Sequence, residues 1–308
     1  MNFHIKAPLS GVWISPPINL RNGQTLWLSS EHPLSDSWNF PCPTTTYYFQ
    51  YLQSNLQKAM RRGLHDVCIA TSYQMMQQDF PKFLRRLSII LLEDVWPHPR
   101  LDYVVWLMVA VAKGWKISKM NVDQLLQIIW EASHQPRPPQ YNKKNEFPTI
   151  EEDTPNLIRA MIVRQNYGGM RGDLQMLASL VDIWTIKMGQ GYNLEADWPD
   201  VGTFTLVTFR EDHRLPEAID FHNSNIVTVL SFRLKIDPIL VRKDLWDNRS
   251  SINARSLNWA RQSLSLPKQV VDELSMDIWS THHSKKTSNM PSDTPSDTPS
   301  VLEFLDPL

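Results

Sequence analysis

The sequence predicts a mainly α fold, with a helical bundle over residues 46–133 packed on a second helical unit over 154–280. Minor β elements are expected near the N-terminus and around 202–209. Three observations carry this reading. Apolar residues from Thr46 onward recur at the three- and four-residue spacing of helices. Helix-ending glycines (Gly63, Gly114) and helix-opening prolines (Pro81, Pro99) cut that pattern into segments. A polar, proline-rich stretch at 134–153, HQPRPPQYNKKNEFPTIEED, divides the chain before helical spacing resumes.

Residues 1–45 are rich in proline, serine and tryptophan. GVWISPPINL and QTLWLSS read as short strands about the Asn22-Gly23 turn signal. An arm with a small hairpin is expected, held to the body by Trp13, Trp27 and Trp38. In TTYYFQYLQSNLQKAMRRG, Tyr48, Phe49, Leu52, Leu56, Ala59 and Met60 share helical spacing. Gly63 stops this helix, and Lys58, Arg61 and Arg62 fall in its last turn, where cations suit the dipole. A second helix runs from about Leu64 to Gln77, and a third starts at Pro81. A fourth, Pro99 to Lys113, is apolar nearly all round and so belongs inside. The fifth begins near Asn121, with Asn121 and Gln124 set like a capping box.

Beyond the 134–153 linker, Thr154-Pro155 reads as an N-cap and a first-turn proline. Helices are expected at about 155–166 and 173–188. GTFTLVTF, Gly202 to Phe209, alternates like a strand. Pro216 and Asp237-Pro238 each open a helix, with one or two more between about Asn253 and Trp279. The tail, 281–308, contains PSDTPSDTPS, a short repeat without core-forming residues, so disorder is expected there; the final VLEFLDPL is apolar again and reads either as a loosely tethered end or as a short docking motif.

The chain has 308 residues, 42% hydrophobic and 20% charged, enough for a sizeable core. With 31 basic and 32 acidic residues the net charge is −1, which excludes a global pull towards nucleic acid or anionic membrane and leaves only local patches. Twelve tryptophans imply a well-packed interior or an interface. Two cysteines, Cys42 and Cys68, give neither a disulfide framework nor a zinc site and read as reduced thiols. Asn248-Arg-Ser250 fits a glycosylation pattern, but no signal peptide accompanies it, so an intracellular location, cytoplasmic or nuclear, is expected. The longest apolar stretch, Tyr103 to Ala112, is about half of what a bilayer requires. No cofactor, metal or membrane association is expected.

FLRRLSIILLEDV, Phe83 to Val95, poses the main electrostatic question. As a helix it puts Phe83, Leu87, Ile90 and Leu91 on one face. The Arg85-Arg86 pair then sits in the first turn and the Glu93-Asp94 pair in the last. Both placements oppose the helix dipole, at about 0.3–1 kcal/mol per exposed charge. Arg86 and Glu93 are two turns apart, too far to pair directly. Partners on other helices are expected: Asp66 or Asp79 for the arginines, Arg61 or Arg62 for the acids.

LQKAMRRG, a helix of about thirteen residues, and then FLRRLSIILLEDV together resemble the C-terminal helical region of clamp-loader-related AAA+ proteins of the MgsA/RarA group. The basic helix end (Lys58, Arg61, Gly63), the paired arginines (Arg85, Arg86) and the Glu93-Asp94 turn correspond in kind. The likeness covers residues 47–115. It implies a helical oligomerisation collar linked to DNA replication or repair. No glycine here is followed by lysine, so the phosphate-cradling GxxxxGK[ST] loop is absent and the resemblance does not extend to ATP hydrolysis.

Three further groupings stand out. In RQNYGGMRGDLQML, Gly168-Gly169 breaks a helix and Asp173 caps the next. Arg164, Gly168, Gly169 and Arg171 there read either as a phosphate seat or as a tight helix corner. Asp220, His222, Asn223 and Asn225 form a polar cluster, more readily packed than catalytic, because no second ligand lies at a usable spacing. Between 58 and 100, the basic residues Lys58, Arg61, Arg62, Lys82, Arg85, Arg86 and Arg100 outnumber the acids. The sequence thus points to a non-enzymatic interaction or oligomerisation protein with a protein partner or a second copy of itself. The alternative is a nucleic-acid-binding accessory factor using that basic face.

Overall fold

The computed structural model describes residues 1–32, 38–43, 47–136, 140–215, 218, 224–249 and 273. Four short strands come first: β1 (Asn2–His4), β2 (Trp13–Ile14), β3 (Ile18–Asn19) and β4 (Thr25–Ser30). β4 pairs antiparallel with the other three, setting Phe3 opposite Leu28, Trp13 opposite Ser30 and Ile18 opposite Leu26. The hairpin forms at Asn22-Gly23, where Gly23 adopts φ 86° and the Asn22 side chain accepts from the Gln24 amide. β1 is too short for an alternating pattern to announce it. Trp13 meets Trp106 and Trp115 edge-on at 5.5 and 5.1 Å, and the Trp38 amide donates to Ile117 O at 2.7 Å, so both hold the arm to the body. Trp27 alternates with the buried Leu26 and Leu28 on β4 and is not among the side chains packed on the core.

Among the described residues nine α-helices follow: α1 (Phe49–Arg62), α2 (His65–Gln78), α3 (Phe80–Glu93), α4 (Leu101–Ala112), α5 (Lys119–Ser133), α6 (Asn156–Asn166), α7 (Arg171–Gly189), α8 (Ser224–Leu234) and α9 (Pro238–Arg249). The first five make a bundle, with α1 against α2, α3 and α5, α3 against α2 and α4, and α2 against α5. The α6–α7 hairpin joins it through α6 on α4 and α7 on α3, while α8 and α9 pack on each other. One apolar core runs from Phe3 and Leu28 through Leu56, Ile90, Trp106 and Ile129 to Leu180, Val227 and Val241.

Several boundaries follow local chemistry. Gly63 ends α1 at φ 64°, its amide bonded to Ala59 O and Met60 O. The capping box of α5 is Ser118 with Asn121, three residues earlier than the Asn121–Gln124 pairing expected from sequence. Thr154 does not cap α6: its hydroxyl accepts from the Glu151 amide, and Pro155 takes the N-cap position. α7 starts at Arg171, so Asp173 lies inside its first turn instead of capping it.

The expected strand at 202–209 does not form. At its start the backbone turns to side chains of α5: Gln127 donates to Gly202 O at 2.9 Å and accepts from the Phe204 amide at 3.4 Å, and Trp130 donates to the preceding Val201 O at 3.1 Å. With no neighbouring strand edge there, alternation alone cannot make a ladder. The 134–153 connection is fastened rather than free, with Ile150 buried, Asn22 and Gln24 bonded to Pro148 and Ile150, and Gln165 bonded to Glu146 O. The expected helices between 253 and 279 and the 281–308 tail lie outside the described residues, apart from Glu273.

Candidate anion-binding site

α3 begins at Phe80, with the Asp79 carboxylate accepting from the Lys82 amide at 2.9 Å and pairing with Lys82 Nζ at 2.7 Å. This early start moves Arg85 and Arg86 into the second turn, largely clear of the positive dipole end. Asp79 therefore serves its own helix, and Asp66 lies exposed in the first turn of α2; neither pairs with the arginines. Arg85 instead lies over the Tyr167 ring at 5.5 Å, and Arg86 Nη2 donates to Gln57 Oε1 of α1.

The acids at the other end do find Arg61. Its Nε donates to Asp94 Oδ1, and its Nη2 lies 3.5 Å from Glu93 Oε1. Gln57 Nε2 reaches Glu93 Oε2 at 3.1 Å. A polar chain thus runs Arg86–Gln57–Glu93–Arg61–Asp94, and an uncharged α1 side chain bridges the two-turn gap on α3. Both the Arg61 and the Asp94 side chains are buried, at 4% and 0% exposure. Burial pushes the Asp94 carboxyl up to about 7, and neighbouring Glu93 adds to this against the pull of Arg61. Lys58 is buried too, with Nζ 2.8 Å from Ser54 Oγ, and Arg62 is half-buried.

The second grouping meets the first in space. Gly168 and Gly169, at φ 95° and 146°, form the corner between α6 and α7. Buried Arg164 is bonded to Ser88 Oγ at 2.8 Å, Gly168 O at 2.6 Å and Arg85 O at 3.3 Å. This ties the corner to α3. Between them lies a concavity of about 290 Å³ whose wall includes Lys82, Arg85, Arg86, Arg164 and the two glycines, with Asp173 as its acid. Burial lowers the Arg164 guanidinium to about 10, still charged at neutral pH, and raises the Asp173 carboxyl, which Arg86 and Arg164 pull back down. Arg171 is exposed and does not line this pocket; Lys82, Arg85 and Arg86 stand there instead.

Asp220, His222 and Asn223 lie outside the described residues, and Asn225 falls in α8. Sequence reasoning passed over one polar cluster. His98 is buried, with Nε2 2.8 Å from Glu131 Oε2, and Arg100 Nη2 reaches the same carboxylate at 3.0 and 2.9 Å. Burial works against the Glu131 charge, but the bonds from His98, Gln127 and Arg100 outweigh it and pull the carboxyl down to about 2. His98 and Arg100 precede α4 and Glu131 ends α5, so no sequence spacing links them. Among the described residues no group of three or more His, Cys, Asp or Glu side chains is placed to hold a metal ion, and no helix is long and apolar enough to cross a membrane. No family model, curated protein or solved structure matches the chain.

Proposed function

We propose that the protein is a non-enzymatic helical binding protein that recognises an anionic partner through the α3 face carrying Lys82, Arg85 and Arg86. The sorting of charge on α3 supports this reading. Its acids are consumed within the fold, Asp94 and Glu93 by Arg61 and Gln57. Among the described residues neither Arg85 nor Arg86 has a carboxylate partner within ion-pairing distance, and both line an open concavity. Binding of fluorescent single-stranded DNA, used as a polyanion, tests it. With two to three cations engaged, affinity falls about tenfold between roughly 50 and 200 mM salt. Arg85→Ala weakens it further at low salt. Retention indifferent to both salt and substitution overturns the reading.

A second reading, self-association of the kind the collar resemblance implies, draws on the apolar surface of α8 and α9. Phe232, Ile239 and Leu240 are 85%, 77% and 44% exposed there. Light scattering of Phe232→Ser/Ile239→Ser against the parent protein tests it: a parent monomer rules it out. A link to DNA replication or repair rests on the same resemblance.

A further inference from the structure

The concavity between α3 and the α6–α7 corner has a narrower chemistry than general attraction to anions. Three observations restrict it. First, it is a recess of about 290 Å³, the size for one phosphoryl group and the first atoms of its carrier. A nucleic-acid backbone presents a continuous ridge of singly charged diesters and reaches such a recess poorly. Second, its donors are partly used and partly free. Arg164 gives three of the five N–H groups of a guanidinium to Ser88, Gly168 and Arg85, which fixes its plane and leaves two. Arg86 Nε is buried and has no hydrogen-bond partner among the described residues, so the guanidinium is not fully satisfied by the fold described. Bound donors that cannot turn away, beside the exposed Arg85 side chain, suit an oxyanion with three acceptor oxygens. Third, with Lys82 paired to Asp79 and Asp173 set against the guanidinium groups of Arg85, Arg86 and Arg164, the wall keeps a net charge of about +2, which matches a group of about −1.5 to −2, the charge of a phosphate monoester at neutral pH.

We infer that this pocket binds a phosphate monoester carried on a peptide, as phosphoserine or phosphothreonine. The carrier follows from the apolar part of the wall. Among the described residues Tyr167 is the one aromatic side chain in that wall, and Arg85 already lies over its ring, so a nucleobase lacks an open stacking platform there. Met170, 66% exposed, offers the aliphatic contact a peptide chain uses. The assignment rests on the proposed anion-binding role of the α3 face and narrows it.

Phosphorus NMR titration of a short alanine peptide with one central phosphoserine tests it, with adenosine monophosphate as the competing carrier. Saturable binding of the phosphopeptide, several-fold tighter than the nucleotide, is the expected result. Arg85→Gln, on an exposed side chain whose loss leaves the melting temperature in place, weakens it about tenfold or more. Equal or tighter nucleotide binding overturns the peptide assignment, and no saturable binding of either overturns the pocket. If the phosphopeptide fails while salt-sensitive polyanion binding persists, this inference falls and the broader reading stands; loss of both removes the broader reading as well.

Discussion

Replacing Asp94 with asparagine should stabilise the protein at alkaline pH, although Asp94 belongs to a buried ion pair. Arg61 faces two carboxylates, Asp94 and Glu93, so the cluster carries one negative charge too many. Both acids also sit at the C-terminal end of α3, where the dipole is negative. The fully buried member bears the consequence: its carboxyl is raised from 3.8 to about 7. A folded carboxyl that holds its proton more tightly than the unfolded one makes folding take up a proton. The stability it contributes is therefore fully present below 3.8 and is lost as pH rises through about 7. At about 1.4 kcal/mol per unit, the wild type loses up to about 4 kcal/mol over this window through this one group. Asparagine imitates the protonated form at every pH, and Arg61 keeps Glu93 as its counter-charge. The difference between variant and wild type, measured by urea denaturation, should be near zero at pH 4. It should grow with pH to about 2–4 kcal/mol in favour of Asp94→Asn at pH 8. A variant less stable than wild type at pH 8, or a difference independent of pH, refutes the reasoning.

Arg61→Ala strips both acids of their partner and should cost about 3–5 kcal/mol at pH 8, read from the same denaturation curves. Gly63→Ala forces a side chain into a left-handed C-cap, with its Cβ 3.4 Å from Ser133 O, and should lower stability by about 1–2 kcal/mol in thermal melts. The His65 and His134 rings stack at 3.6 Å, and burial, then His134, lowers the His65 imidazole. A depressed histidine contributes stability that is present above 6.5 and lost as pH falls, so His65→Phe should lose less stability than wild type between about pH 7 and 5. A steeper acid limb in the variant counts against this. Glu131→Ala leaves buried His98 without its carboxylate partner and should cost about 1.5–3 kcal/mol by chemical denaturation.

The helices were legible in the sequence because their signals are local. Gly63, Gly114, Pro81 and the apolar repeats mark α1 to α5 within a residue or two of their observed ends. Errors arose where a neighbour in space decided the outcome. Residues 202–209 have the alternation of a strand, but Gln127 of α5 takes the Gly202 carbonyl and the Phe204 amide instead. For the arginines of α3 the sequence offers Asp66 or Asp79 as acids on neighbouring segments. The fold gives Arg86 to Gln57 and Arg85 to Tyr167, residues without net charge that no charge pattern can single out. For the acids the sequence offers Arg61 or Arg62, because cations in the last turn of α1 are a visible complement to carboxylates, and the fold uses Arg61. The pocket itself was invisible, because it joins residues 82–89 to 164–173, and only the packing of α6 on α4 and of α7 on α3 brings them together.

The two ends of α3 show what kind of constraint shaped them. Carboxylates placed against a dipole and buried demand an internal cation, and α1 supplies one in Arg61. Had the arginines been placed for stability, the same logic would give them internal acids. Instead Arg164, itself buried, stands behind them and adds like charge. The nearest acid in that wall, Asp173, is shared between Arg86 and Arg164. Concentrating guanidinium groups against one carboxylate destabilises the free protein through mutual repulsion. Arg164 is fastened by three hydrogen bonds in that repulsive position, so the repulsion is held in place rather than relaxed by side-chain movement. Binding an anion would relieve it, so the unfavourable electrostatics of the unliganded pocket and its proposed affinity have the same origin.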